Sequence, residues 1–422
     1  MKVALAYGRG HRRVEVPDDV AIIEPTPQRG LADERAALLA ALAQPIGASP
    51  LADSISPGKR ICIVHTDITR ATPNNRLTPW LLEYLENAGA TRESITLLNG
   101  TGTHRPNTRA ELEAMLTPEV IANYRCVNHL CEDRASQVQF GVTRSGAPAL
   151  LNRALAEADV RIITGFIEPH FFAGFSGGPK GIMPGVAALE TVMSNHGAQH
   201  IGDPRAAFGI TEGNPIWEEM RDIALRIGPS FLLNVTLNEQ RDITGIFAGD
   251  LIAAHRAGIE FVRVSAMQPV AEPFDIVLTT NSGYPLDMNL YQAVKGIAAA
   301  ARIVKDGGDI LLAAECAEGT PAGSPHDRLL RSVANGEDLL ARLAQPGFVQ
   351  AEQWQSQIQA LIQRRAEIHI HSTLPDETIR AAHLLPCRDI AAFLAEKRAA
   401  NPGARIAVLP QGPLTIPYLS SR

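Results

Sequence analysis

Apolar residues fall along the chain in blocks. RICIVHTD (60–67) is a near-continuous apolar run that ends on polar residues, which predicts a strand buried on both faces. LTPWLLEYLENAGA (77–90) follows with apolar positions at helical spacing and a closing glycine, the pattern of an amphipathic helix with its stop. SITLLNG (94–100) predicts the next strand, TGTHRP a glycine-rich turn, TRAELEAML a helix, and ADVRIITGF (158–166) a third strand. Strands alternating with helices over such a length predict an α/β fold with mainly parallel sheets covered on both faces.

The rhythm restarts near Phe274. FDIVLTTNSGYP predicts a strand and a Gly/Pro turn, NLYQAVKGIAAAARIV a helix, and GDILLAAEC another strand. The stretch AMQPVAEP (266–273) before it reads as a linker, so the expected organisation is two α/β domains with a cleft between them: 1–270, carrying the chemistry, and 271–403, closing the cleft. The strand-like ARIAVLP (404–410) completes either unit, and 404–422 is expected as a terminal segment that returns to the N-terminal domain or stays with the C-terminal one. Ligands of parallel sheets gather at the C-terminal ends of strands. The polar phrases DITR (67–70), GTHR (102–105), EPH (168–170) and NSGYP (281–285) all follow predicted strands, which points to that cleft.

Composition narrows the function classes. At 422 residues, 45% hydrophobic and 20% charged, the chain has ample material for a large core in two or three domains. A net charge of -6, without any Lys/Arg run, argues against nucleic acid. The opening MKVALAYGRG is too short in apolar residues for a secretory signal, and no run approaches a membrane span, so a cytoplasmic protein is expected. Five scattered cysteines without a CxxC pair (Cys62, Cys126, Cys131, Cys316, Cys387) read as reduced core thiols.

Candidate chemistry concentrates in GFIEPHFFAGFSGGPKGIMPG (165–185). GFSGGPKG could let backbone amides approach an anion, with Gly177 and Gly178 beside Lys180, or could be a plain tight turn; it lacks the Gly-Lys-Ser/Thr of a P-loop. His104 and His170 stand after separate strands and are suited to paired acid/base work, although either alone is more often structural. His196 and His200, four apart in an expected helix, could share a face and chelate a metal, or lie at a solvated helix end. His369 and His371 alternate along a strand and are expected at the surface. Arg70 beside Asp67 is a surface pair or a clamp for a carboxylate; Gln292 and Lys295 face the cleft or solvent from one helix. Residue types alone leave the reaction open.

Taken together, DITR, GTHR, EPHFFAGFSGGPKGIMPG, His196 and YQAVK resemble the lactate racemase family, in order, from Asp67 to about Trp354. The steps of ten residues from His170 to Lys180 and sixteen from Lys180 to His196 fit that family's pattern. The resemblance implies a 2-hydroxyacid racemase or epimerase using a nickel-pincer nucleotide, a pyridinium-3-thioamide-5-thiocarboxylic acid mononucleotide that holds Ni(II) through S, C and S. It implies that Lys180 forms the thioamide link, that His196 is the protein ligand of an approximately square-planar nickel, which suits soft sulfur and imidazole donors, and that His104 and His170 are the acid/base pair. It further implies that Arg70 grips the substrate carboxylate with Tyr291, Gln292 and Lys295 nearby, and that Asp67, Gly177, Gly178 and Trp354 contact the cofactor. Hydride removal to the cofactor with loss of the hydroxyl proton leaves a planar 2-keto acid, open to hydride return on the opposite face.

Ile68 within DITR and the stretch GIMPGVAALETV depart from lactate racemase itself, so lactate, malate, a hydroxyglutarate, an aryl-lactate and a sugar acid all stay open as substrates. Two other classes compete with the racemase: a non-catalytic carrier or sensor of the cofactor or of an anionic metabolite, and a zinc hydrolase using His196 and His200. Partners beyond a small acid would be cofactor-biosynthesis proteins. The oligomeric state is open.

Overall fold

The computed structural model describes residues 1–420. Two six-stranded sheets organise it, and both owe their parallel pairing to runs such as ICIVHT, which is buried along nearly its whole length and therefore needs cover on both faces. In the first sheet the order is Ile243–Asp250, Phe231–Leu237, Val160–Phe166, Ile61–Thr66, Ile95–Gly100, Arg125–Asn128, with only the first pair antiparallel. The second runs Leu385–Pro386, Ala366–His371, Val304–Ala313, Phe274–Thr280, Ile406–Leu409, Ala21–Ile22, all parallel. The fold is α/β with mainly parallel sheets.

Strand order sets where a ligand can bind. From Ile61–Thr66 the chain moves outward to Ile95–Gly100 and Arg125–Asn128, then reverses to Val160–Phe166 on the other side of the starting strand. The crevice at this reversal is where open α/β sheets accept ligands. DITR and EPH follow the two strands that flank it. The second sheet reverses likewise between Phe274–Thr280 and Ile406–Leu409, which puts the NSGYP turn at its own switch point.

Side-chain caps fix two helix starts. Thr108 and Glu111 form a capping box at Arg109–Leu116, and Asn214 caps Pro215–Arg226 with proline in the first turn. One apolar cluster continues through both units, joining Ile163 and Phe175 of the first to Leu290, Leu312 and Trp354 of the second. The units therefore share a core.

Several expectations are corrected. Residues 2–22, assigned from sequence to the first unit, lie on the second: Val3, Leu5 and Val14 of the hairpin Lys2–Tyr7/Gly10–Glu15 pack with Ile276, Leu278 and Leu311, and Ala21–Ile22 forms the edge beside Ile406–Leu409. ARIAVLP likewise joins the second sheet and does not return to the first unit. The supposed linker contains a strand, Met267–Val270, paired with Ile416–Leu419, so the crossover between units is strapped by the chain's end. Strands this short carry too little periodicity to reveal their partners. His369 and His371 are not at the surface, because their strand is internal; His371 is buried and His369 bonds Asp309 at 3.0 Å. All five cysteines are free, three of them buried.

Candidate active site

The loops at the ends of the strands line one partly open cleft of about 140 Å3. Its walls include Asp67, Arg70, His104, His170, Gly177, Gly178, Lys180 and His196 from the first unit and Tyr291, Gln292, Lys295 and Trp354 from the second.

Asp67 ends the strand Ile61–Thr66 and the chain turns at once, with the Arg70 amide donating to the Asp67 carbonyl at 3.1 Å. Its side chain, almost fully buried, receives the Thr69 hydroxyl at 2.7 Å and bonds His104 Nδ1 at 2.7 Å. Burial would raise the Asp67 carboxyl, but the His104 hydrogen bond and the charges of His104 and Arg70 outweigh it and hold the group below the ordinary carboxylate range. Expected against a cofactor, Asp67 has both oxygens engaged by its own chain. The loop bearing His104 is fixed to the central segment through the Gly102 amide, which donates to the Gly185 carbonyl at 2.9 Å.

His170 sits in the small hairpin pairing Pro169 with Phe175 and His170 with Gly174. Its Nδ1 accepts the Ala173 amide at 3.2 Å, and the rings of Phe171 and Phe172 pack on it at 5.0 and 4.5 Å. Burial, with the charges of Lys180, Lys295 and Arg70, holds this ring well below the usual histidine range. Beyond it the chain makes a single helical turn, Gly178–Gly181, that presents Lys180. The glycines here serve close packing: Gly178 adopts φ +56°, a Cβ on it would meet the His255 ring at 2.3 Å, and its amide donates to Asn234 Oδ1 at 2.8 Å. That amide is thus already paired and is not free to cradle an anion.

Lys180 Nζ lies 5.7 Å from the centre of the Phe172 ring. Burial first, then the charges of Arg70 and Lys295, bring its amine down to about 7, with Glu168 opposing. Lys295 is brought to about 8 by burial and Arg70. Neither Arg70 nor Lys295 forms an ion pair among the described residues, so both remain available to an anion.

His196 caps the helix Leu189–Asn195, and the next helix, Ala198–Ile201, begins after Gly197. The expected single helix is broken there, so His196 and His200 do not share a face; His200 Nδ1 bonds the Asn195 carbonyl at 3.0 Å and is absent from the cleft wall. His196 lies between Phe172 and Trp354, edge to face at 5.1 and 5.0 Å, and its Nδ1 is buried without a partner. Burial and the charges of Lys180 and His200 keep it neutral near physiological pH. A buried, neutral, unpartnered imidazole in a cleft wall suits a metal ligand.

Residue patterns missed three polar groups in this wall. His65 Nε2, Asn234 Nδ2 and Gln355 Oε1 are buried without partners, and all three residues line the cleft. A signal existed for two: His65 in ICIVHT and Asn234 in FLLNVTL are polar residues inside otherwise apolar strands. Gln355 carries none, since its helix, QWQSQIQALIQ, looks polar and solvated yet is largely buried. Among the described residues, no helix is long and apolar enough to cross a membrane.

Comparison with known proteins matches residues 7–209 to the lactate racemase N-terminal domain and 270–416 to the lactate racemase C-terminal domain. The lactate racemases of Thermoanaerobacterium thermosaccharolyticum and Lactiplantibacillus plantarum are 35% and 36% identical to the chain over 376 residues, 88% of each protein. The apoprotein structure of the former superposes with a TM-score of 0.93 at 32% identity, covering 99% of this chain and 100% of that one. A Thermotoga maritima protein shares the fold with a TM-score of 0.72 at 18% identity, over 94% of this chain and 100% of its own.

Proposed function

The chain belongs to the lactate racemase family and is an isomerase of the racemase class, and from that premise we propose that it inverts C2 of a small 2-hydroxyacid with a nickel-pincer nucleotide bound in the cleft described above. One observation carries the reading. A lysine amine brought down to about 7 shares a cleft with two buried neutral histidines and a third histidine backed by a carboxylate, while Arg70 and Lys295 form no ion pair among the described residues.

The residues present suit such a group. Lys180 would hold it covalently, since an amine that is neutral near pH 7 is nucleophilic, and His196 would supply the imidazole ligand. When bound, the cofactor supplies a site that accepts hydride from C2 and returns it. The protein's own contribution is orientation and proton handling. Arg70 and Lys295 attract the substrate carboxylate, and a planar guanidinium can take it through two parallel hydrogen bonds. His104 and His170 handle the hydroxyl proton, so that charge does not accumulate on the oxygen as the keto acid forms. The second unit contributes Tyr291 and Trp354 to the cleft wall, joined by a hydrogen bond at 3.1 Å.

The test is loss of optical activity in single enantiomers of a panel of 2-hydroxyacids, incubated with protein made in cells that synthesise the cofactor. Racemisation of at least one acid supports the reading. A non-catalytic carrier would bind cofactor and leave every enantiomer intact.

A further inference from the structure

The two histidines assigned to the hydroxyl proton differ in what their other ring nitrogen touches. Resting on the racemase reading above, we infer that they divide the work: His104, backed by Asp67, takes up and returns the proton, whereas His170 keeps its own proton on Nε2 and donates a hydrogen bond to the same substrate oxygen.

His104 Nδ1 faces the Asp67 carboxylate at 2.7 Å. An ionised carboxylate only accepts, so the ring hydrogen sits on Nδ1 and the neutral ring carries its lone pair on Nε2. Asp67 cannot turn away, because it is buried and its second oxygen holds the Thr69 hydroxyl. This is the arrangement by which a carboxylate sets the tautomer of a catalytic histidine and steadies its protonated form. Asp67 is accordingly a positioning residue acting through His104.

His170 has the opposite wiring. Its Nδ1 receives the Ala173 backbone N–H at 3.2 Å. An amide N–H only donates, so Nδ1 carries the lone pair and the neutral ring bears its hydrogen on Nε2. Protonating this ring, or moving its hydrogen to Nδ1, would set N–H against N–H. The amide is not free to swing aside, because fully buried Ala173 lies in the turn between the paired strands Pro169–His170 and Gly174–Phe175. The rings of Phe171 and Phe172 also hold the imidazole in place. Among the described residues no carboxylate forms an ion pair with His170, so a cation there lacks the support that Asp67 gives His104.

The chemistry balances with one proton acceptor. The C2–H bond breaks with its electron pair leaving as hydride to the hydride-accepting cofactor. The hydroxyl O–H bond breaks, its proton goes to His104 Nε2, and its pair becomes the second C–O bond of the keto acid. On return the hydride restores C2–H, the carbonyl pair goes back to oxygen, and oxygen regains the proton from His104. The protonation of His170 does not change. With the oxygen held by both rings, the keto acid turns about its C2–O bond, exchanging its carboxylate and side group, and the cleft offers two cations without ion-pair partners among the described residues, Arg70 and Lys295.

The test has two arms. Long-range 1H–15N correlation spectra of the chain with 15N-labelled histidine, recorded without cofactor and above neutral pH, should show His104 as the Nδ1–H tautomer and His170 as the Nε2–H tautomer. In the cofactor-loaded enzyme, His170→Gln, whose amide can donate where Nε2–H stood, should be about 10²-fold more active than His170→Ala, while His104→Gln should give no such gain over His104→Ala. A His170 ring protonated on Nδ1, or glutamine failing equally at both positions, overturns the inference. The spectra are read on the chain alone, so they decide the tautomers even where the enzyme racemises nothing, a result that counts against the function proposed above instead.

Discussion

The indole of Trp354 stands edge-on to the imidazole of His196 at 5.0 Å, the second unit touching the candidate metal ligand of the first. The indole N–H donates to the Tyr291 hydroxyl at 3.1 Å, and three residues further on Gln357 Nε2 donates to the Ala198 carbonyl at 2.7 Å, just past His196. The helix Gln353–Gln363 thus braces the ligand's own loop. Trp354→Ala removes a large buried side chain and should cost about 3–5 kcal/mol of unfolding free energy. Trp354→Phe keeps the ring contact, loses one hydrogen bond and should cost about 1 kcal/mol. Denaturant titration of both variants measures the difference.

Asp67→Asn offers His104 a side chain that can donate as well as accept, so the ring can settle with its hydrogen on the wrong nitrogen. Racemisation should fall roughly 10²- to 10⁴-fold while the melting curve moves little. Activity assays of the loaded enzyme, paired with thermal melts, check both halves.

Lys180, at about 7, and Lys295, at about 8, are both depressed from an ordinary 10.5. Between those values and 10.5 the folded chain binds fewer protons than the unfolded chain. Both lysines therefore make the fold gain stability as pH rises through about 7 to 10.5, and disfavour it below. The same shift predicts that Lys180 is acylated by a limiting amine-directed reagent with a midpoint near pH 7, far ahead of surface lysines. Peptide mass spectrometry across a pH series reads the order of modification.

Gly178→Ala should destabilise the protein by about 2 kcal/mol or more, because it combines a left-handed backbone with a Cβ 2.3 Å from the His255 ring. His255→Ala should recover part of that loss in the double variant, since it removes the clashing ring. Thermal unfolding of the single and double variants tests the packing role given to this glycine.

Much of the site was legible because it lies at strand ends, where a polar phrase interrupts an apolar run. DITR, GTHR and EPH announce themselves in that way, and the order of strands brings them together. What sequence concealed follows from physics that is not local. Asp67 looks like a ligand residue by position, but the neighbour that engages it, His104, comes from a different loop. The helix break at Gly197 undid the pairing of His196 with His200, since a glycine weakens a helix without dictating where it ends. The buried glutamines of Gln353–Gln363 read as a solvated face because only tertiary packing decides that their amides meet the Tyr291 and Ala198 carbonyls. The hairpin at residues 2–15 sits on the second sheet for the same reason.

The most direct measurement of the central claim is intact and peptide mass spectrometry, with a nickel assay, on protein from cells that synthesise the cofactor. The account predicts one covalent increment localised to Lys180, one nickel per chain, loss of the increment in Lys180→Ala, and loss of nickel in His196→Ala. An unmodified chain, or an increment and nickel that survive both substitutions, would contradict it.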